Sequence, residues 1–238
     1  MLIAAIISTI IIKILSNTSS VLYPKAKVTG DGKIKIACLG DSITYGLGVV
    51  SNRDNAWVSL LVDRLGNNYK TINYGLTGRT LLSSGDMPYM KEKLAKRFWN
   101  RKENIIILML GTNDTKEINW DYDKYNEEYR ELLDKILDKK SDSKIYIMIP
   151  PQIYINKPGK TDPNRDNLEN GVVPIIRKIE KDYKDIEVID LYSYTLDHKD
   201  WFTDNLHPNK EGNKEIANEI SRIIKETYNE KNIKRVSK

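Results

Sequence analysis

The 238 residues contain two histidines, His198 and His207, so any mechanism that needs a neutral imidazole as base must use one of them. His207 stands in Asp204-Asn205-Leu206-His207-Pro208, three residues after a carboxylate. A serine, Ser42, stands in Cys38-Leu39-Gly40-Asp41-Ser42-Ile43-Thr44-Tyr45-Gly46, a turn that ends an apolar run and is bracketed by glycines. A serine hydroxyl is a weak nucleophile until a base takes its proton. His207 is the candidate base, and Asp204 the carboxylate that would fix the imidazole tautomer and stabilise the imidazolium. The tetrahedral intermediate of such an attack needs donors for its oxyanion. The candidates are the Ser42 amide, the Gly75 amide in Asn73-Tyr74-Gly75, and the Asn113 side chain in Gly111-Thr112-Asn113-Asp114. Loss of one such donor typically costs roughly 10²–10³ in rate.

Each residue also has a plainer reading. Ser42 could be a helix N-cap, and Gly75 an ordinary turn glycine. Asn113 could cap the segment after its strand, unless Asp114 does so and leaves Asn113 facing the site. Asp41 reads as a brace of the serine turn. His198, in Asp197-His198-Lys199-Asp200, lies in a charged stretch and lacks the His-Pro context. A metal on Asp204 and His207 is disfavoured because catalytic zinc takes three protein ligands, and none is expected. A phosphate or flavin reading of the serine loop employs Ser42 and Thr44 and leaves Asn113, Asp204 and His207 idle.

The elements that must position these residues follow from the pattern. Apolar strands are expected at 33–39, 69–74, 105–110, 145–149 and 186–189, and helices near 57–66, 88–99, 122–139, 171–184 and 210–228. Pro174 is expected in the first turn of its helix. The alternation, with no hairpin signals, predicts a five-stranded parallel sheet in a three-layer α/β/α domain. The marked turns after the strands then share one sheet edge, where open α/β sheets place their sites. Residues 152–167 show no period and read as a long loop, a length usually tied to function or to disorder.

The four blocks Gly-Asp-Ser-Ile, Asn-Tyr-Gly-Leu-Thr-Gly, Gly-Thr-Asn-Asp and Asp-Asn-Leu-His-Pro occur in the order of the SGNH hydrolases, the GDSL-type esterases and lipases. The sequence resembles that family from Gly40 to Pro208, with Ile43 where the family's name has leucine. The resemblance implies a flavodoxin-like fold and a Ser-His-Asp esterase without a cofactor. The segment 111–120, ending in Asn119-Trp120, is similar to members acting on O-acetylated carbohydrates. It implies removal of O-acetyl groups from a small-molecule or oligosaccharide ester. A lysophospholipase or thioesterase of the same fold is the alternative, and a silent glycan-binding protein, expected to show a broken triad, is another. Tyr45, Trp120 and Tyr154 are aromatic candidates for the sugar face, with core packing as the competing reading.

Composition bounds the rest. Charged residues make up 30% of the chain and the formal net charge is +5, with both signs interspersed and no basic stripe carrying aromatics, so no nucleic-acid partner is expected. The lone Cys38 lies in the first strand and reads as a buried structural thiol. Residues 1–20 are apolar to Leu15 and then polar, and are expected to be an export signal or a membrane anchor, giving a secreted or envelope-associated protein. Residues 21–32 read as a linker, 33–230 as the hydrolase domain and 231–238 as a basic tail.

Overall fold

The structure is a computed structural model that describes residues 26–49 and 52–228. The expectations for residues 1–20 and 231–238 lie outside the described residues.

The strands are β1 (Lys27–Thr29), β2 (Ile34–Gly40), β3 (Tyr69–Gly75), β4 (Ile105–Met109), β5 (Lys144–Ile149) and β6 (Ile186–Asp190). The main helices are α1 (Ser42–Tyr45), α2 (Trp57–Leu65), α3 (Lys93–Trp99), α4 (Tyr122–Lys139), α5 (Val173–Asp182) and α6 (Lys210–Thr227). The sheet order is β1-β3-β2-β4-β5-β6. β3, β2, β4, β5 and β6 are parallel, and β1 pairs antiparallel with β3. The five parallel strands follow the flavodoxin order, with the topological switch at β2.

Among the described residues the sheet has six strands, one more than expected. Lys27–Thr29, read as linker, pairs with Thr71–Asn73 as an edge strand. Three residues carry too short a pattern to read, and the partner lies more than forty positions away, as the register Lys27 to Asn73 shows. The helix expected over 88–99 is broken into a 3₁₀ turn at Tyr89–Lys91 and α3. Pro174 does lie in the first turn of α5.

Side chains of β2 alternate between two cores, which is why the strand reads as continuously apolar. Ala37 and Leu39 join Tyr125, Tyr129 and Leu133 of α4 and Ile176 of α5 on one face. Ile36 and Cys38 join Trp57 and Leu61 of α2 and Ile216 and Ile220 of α6 on the other. Burial pushes the Cys38 thiol far above its usual range, so it is inert packing. Two helical layers grip the parallel strands, and their carboxyl ends form the edge that carries the site.

Candidate active site

Ser42 opens α1, directly after β2 at the switch point. Asp41 caps that short helix, its Oδ1 accepting from Ile43 N at 2.9 Å. Asp41 thus braces the turn, and Ser42 is the first helical residue, so its own N–H has no intrahelical partner. The Ser42 Oγ lies 2.9 Å from His207 Nε2. The His207 Nδ1 lies 2.6 Å from Asp204 Oδ2. The rival His198 stacks on the Trp201 ring at 3.7 Å.

The turn carrying Asp204 and His207 is built to hold them. Asp204 Oδ1 accepts from the backbone N–H groups of Leu206 at 3.1 Å and His207 at 2.7 Å. Asn205 adopts φ 65°, a left-handed conformation that asparagine tolerates better than most residues. Phe202 and Pro208 bridge across the base of the turn, and Tyr154 N donates to Asn205 O at 2.8 Å. Burial by itself would raise the Asp204 carboxyl. The hydrogen bond and charge of His207, with the two backbone N–H groups, outweigh it and hold the carboxyl below its usual range. Asp204 is therefore ionised at neutral pH and fixes Nδ1 as the protonated nitrogen, leaving Nε2 to accept from Ser42.

The structure assigns Gly75 a different part from the expected oxyanion donor. Its N–H donates to Asn73 Oδ1 at 2.8 Å, and Asn73 Nδ2 donates to Thr44 O at 2.8 Å. A Cβ on Gly75 would stand 2.2 Å from Tyr45 N, so glycine is needed for α1 to lie against the end of β3. Three residues on, Gly78 has φ 79°, is half-buried, and its N–H has no hydrogen-bond partner among the described residues. Asn113 reaches this loop: its Nδ2 donates to Arg79 O at 3.2 Å, with Asp41 Oδ2 at the outer limit of 3.5 Å. One amide proton of Asn113 is thus held and the other is only loosely engaged.

Asp114 does not cap the segment after β4. Its carboxylate accepts from Leu81 N at 3.0 Å and Leu82 N at 2.8 Å, tying the loop after β3 to the loop after β4. The residue is fully buried, and burial lifts its pKa to about 7 against those two bonds, with the Asp41 charge adding to the rise. Burial likewise lifts Asp41 to about 6. Asn119 completes the frame by donating to Asn113 O at 2.9 Å and to Asp86 Oδ1 at 2.9 Å. The roles of Asn73, Gly78 and Asn119 escape sequence reading because they depend on how separate loops meet: Asn73 reaches Thr44 O and Asn119 reaches Asp86, while the Gly78 N–H is left unpaired among the described residues. The second glycine of Asn-Tyr-Gly-Leu-Thr-Gly was the available signal for Gly78.

The three aromatic candidates sit largely in packing. Tyr45 is buried at 4% exposure. Trp120 packs on Tyr125 and Tyr122, and a Cβ on Gly171 would stand 2.2 Å from its ring. Tyr154 lies against Phe202, and its hydroxyl donates to the carbonyls of Thr195 and Leu196. Tyr154 therefore braces the turn of Asp204 and His207.

Fold and geometry together define a class, the α/β protein with a serine, an imidazole and a carboxylate hydrogen-bonded in sequence at the switch point of a flavodoxin-like sheet. Within that class, residues 38–215 match the GDSL-like Lipase/Acylhydrolase family, and the chain belongs to it. An acetylxylan esterase of Xylanibacter ruminicola is 31% identical over 212 residues, covering 81% of this chain and 43% of that protein. The chain thus spans less than half the length of that relative. Among solved structures, Est24, a carbohydrate acetylesterase from Sinorhizobium meliloti, is 19% identical with TM-score 0.66, covering 82% of this chain and 100% of that one. The acetyl xylan esterase AlAXEase is 22% identical with TM-score 0.63, covering 80% and 100% respectively. The M. smegmatis aryl esterase is 18% identical with TM-score 0.65, covering 82% and 100%. These likenesses show the shared fold.

Proposed function

We propose that the protein is a carboxylic ester hydrolase that removes O-acetyl groups from carbohydrates, with Ser42 as nucleophile. The observation that carries the chemistry is the unbroken chain Ser42 Oγ, His207 Nε2, His207 Nδ1, Asp204 Oδ2, at 2.9 and 2.6 Å. Ser42 Oγ attacks the acetyl carbonyl carbon while His207 Nε2 takes the hydroxyl proton. The resulting oxyanion is met by the Ser42 N–H, the Gly78 N–H and the loosely held Asn113 amide proton. Collapse of the intermediate expels the sugar oxygen, which receives the proton from His207, and leaves acetyl-Ser42. Water then attacks the acetyl carbon with His207 again as base, releasing acetate and regenerating Ser42. The cycle consumes the ester and one water molecule, and each proton taken by His207 is returned.

The carbohydrate substrate is supported by the kinship with an acetylxylan esterase and by the neighbouring folds of two carbohydrate acetylesterases. Release of a chromophore from a short-chain acetate ester, compared with Ser42→Ala, tests the chemistry. Equal release by wild type and variant would sink it. Acetate release from acetylated xylan oligosaccharides, set beside an acyl chain-length series, tests the substrate. A preference for long acyl chains would favour a lipid substrate instead.

A further inference from the structure

Resting on the esterase reading above, we propose that Arg79 is a positioning residue for the oxyanion hole. By gripping Thr77 O it fixes and polarises the Thr77–Gly78 peptide, so that the Gly78 N–H is held toward the developing oxyanion.

A buried guanidinium is costly unless it is paired and its donors are met. Arg79 is 2% exposed. Its Nε and Nη2 donate to Glu92 Oε1 at 3.1 and 2.7 Å, and its Nη1 donates to Thr77 O at 2.7 Å. Glu92 stands directly before α3, but its side chain caps none of the helix N–H groups and turns to Arg79 instead. One rigid fork thus joins the start of α3 to the loop after β3. Its other arm closes on a carbonyl two residues back in its own chain, with Gly78 between the two ends of the clamp.

The carbonyl it grips belongs to the same peptide unit as the Gly78 N–H. A trans peptide is planar, and its C=O and N–H point in opposite directions. Holding Thr77 O against Arg79 therefore directs the Gly78 N–H away from the guanidinium, to a side where it meets no acceptor among the described residues. Glycine supplies the φ of 79° at this turn, and its freedom of rotation is what a clamp must remove. The loop is also tied on either side: Leu76 N donates to Gly40 O at 3.0 Å and Thr80 N to Met87 O at 3.0 Å. Arg79 O accepts from Asn113 Nδ2 at 3.2 Å, so the residue meets one oxyanion donor through its side chain and another through its backbone. A cationic donor on a carbonyl also draws charge through the amide and strengthens its N–H, by about 10–30% per bond in a hydrogen-bonded chain.

The test compares wild type, Arg79→Met, Arg79→Lys and Lys140→Met. The readouts are steady-state turnover of a chromogenic acetate ester, inhibition by a small alkylboronic acid, and thermal unfolding. Boron accepts an Oγ lone pair of Ser42, His207 takes the hydroxyl proton, and a boron-bound hydroxyl of the tetrahedral adduct occupies the oxyanion position. Arg79→Met should lower kcat by about 10–10²-fold with KM within about twofold, and weaken the boronic acid by the same factor. In Arg79→Lys the single ammonium stays with Glu92 and releases Thr77 O, so both quantities should fall by about three- to tenfold. Lys140→Met, which loosens the fold away from the site, should keep the wild-type inhibitor affinity. A residue that only holds the fold together would lower the number of active molecules and leave inhibitor affinity unchanged in the rest. Loss of kcat at unchanged inhibitor affinity in either Arg79 variant would therefore overturn the proposal. So would wild-type kcat in Arg79→Lys, which keeps the charge and most of the stem and decides the matter if Arg79→Met does not fold. A wild type that turns over no ester and takes no boronic acid would sink the esterase reading, and this one with it. An active wild type with unaffected Arg79 variants would sink this one alone.

Discussion

Asp114 is the sharpest place to test how the site is held. It touches neither Ser42 nor His207 in the hydrogen-bond network, yet its carboxylate takes two backbone N–H groups of the loop that carries Gly78. Asp114→Asn keeps the shape but turns one acceptor oxygen into a donor. One of the Leu81 and Leu82 N–H groups then faces an NH₂ group in a fully buried place, at a cost of about 1–3 kcal/mol. If that cost is met by the loop leaving its position, the oxyanion donors are misplaced in a like proportion of molecules. The expected loss in kcat is about 5–150-fold, since 1.4 kcal/mol corresponds to tenfold. It should fall on kcat and spare KM, because the oxyanion exists only beyond the ground state. Asp114→Ala orphans both N–H groups, costs about 2–6 kcal/mol, and should be worse on both activity and stability. The pH dependence supplies an independent readout. With its pKa at about 7 in the fold and near 3.9 unfolded, the native Asp114 keeps a proton that the unfolded chain has lost. This residue's contribution therefore makes stability fall as pH rises from about 4 to 7, and Asp114→Asn should flatten that slope. The assay is steady-state turnover of a chromogenic acetate ester with urea unfolding at several pH values. A variant that loses stability while keeping wild-type kcat would refute the argument and leave Asp114 as a plain structural residue.

Three further outcomes follow from the geometry. Gly48 has φ 109°, and a Cβ there would stand 2.9 Å from His207 Cβ and 2.8 Å from Pro208 O, so Gly48→Ala should lower kcat/KM by at least about tenfold while His198→Ala stays within about twofold. Lys140→Met removes the ammonium that binds Phe98 O and the buried Glu103, so unfolding free energy should drop by about 3–5 kcal/mol with kcat/KM of the remaining folded protein unchanged. The lowered Asp204 carboxyl binds its proton less readily in the fold than in the unfolded chain, so its stabilisation is present above about pH 4 and is lost as pH falls through the native value. Acid unfolding of Asp204→Asn should lack that component, and an unchanged acid limb would contradict the assignment.

The amino-acid sequence by itself determined the layers and the chemistry. Runs such as Ile105–Met109, buried on both faces, are apolar at every position, and amphipathic helices such as α4 carry their period openly. Ser42, Asp204 and His207 were legible because each follows a strand or sits in a marked turn, and parallel topology brings such turns to one edge. Tertiary structure alone decided matters that depend on partners distant in the chain. It turned Gly75 from donor to packing residue, because Asn73 Oδ1 folds back on its N–H. It gave Asp114 the neighbouring loop to hold and placed Tyr45 and Trp120 in packing, since the type of an isolated loop residue does not say which way its side chain points or what it meets. It also added β1, whose three residues gain strand character only from pairing with β3. Spacing along the chain set which groups could react. The direction of each N–H and carbonyl, set by loops meeting in space, decided which of them remain free to do so.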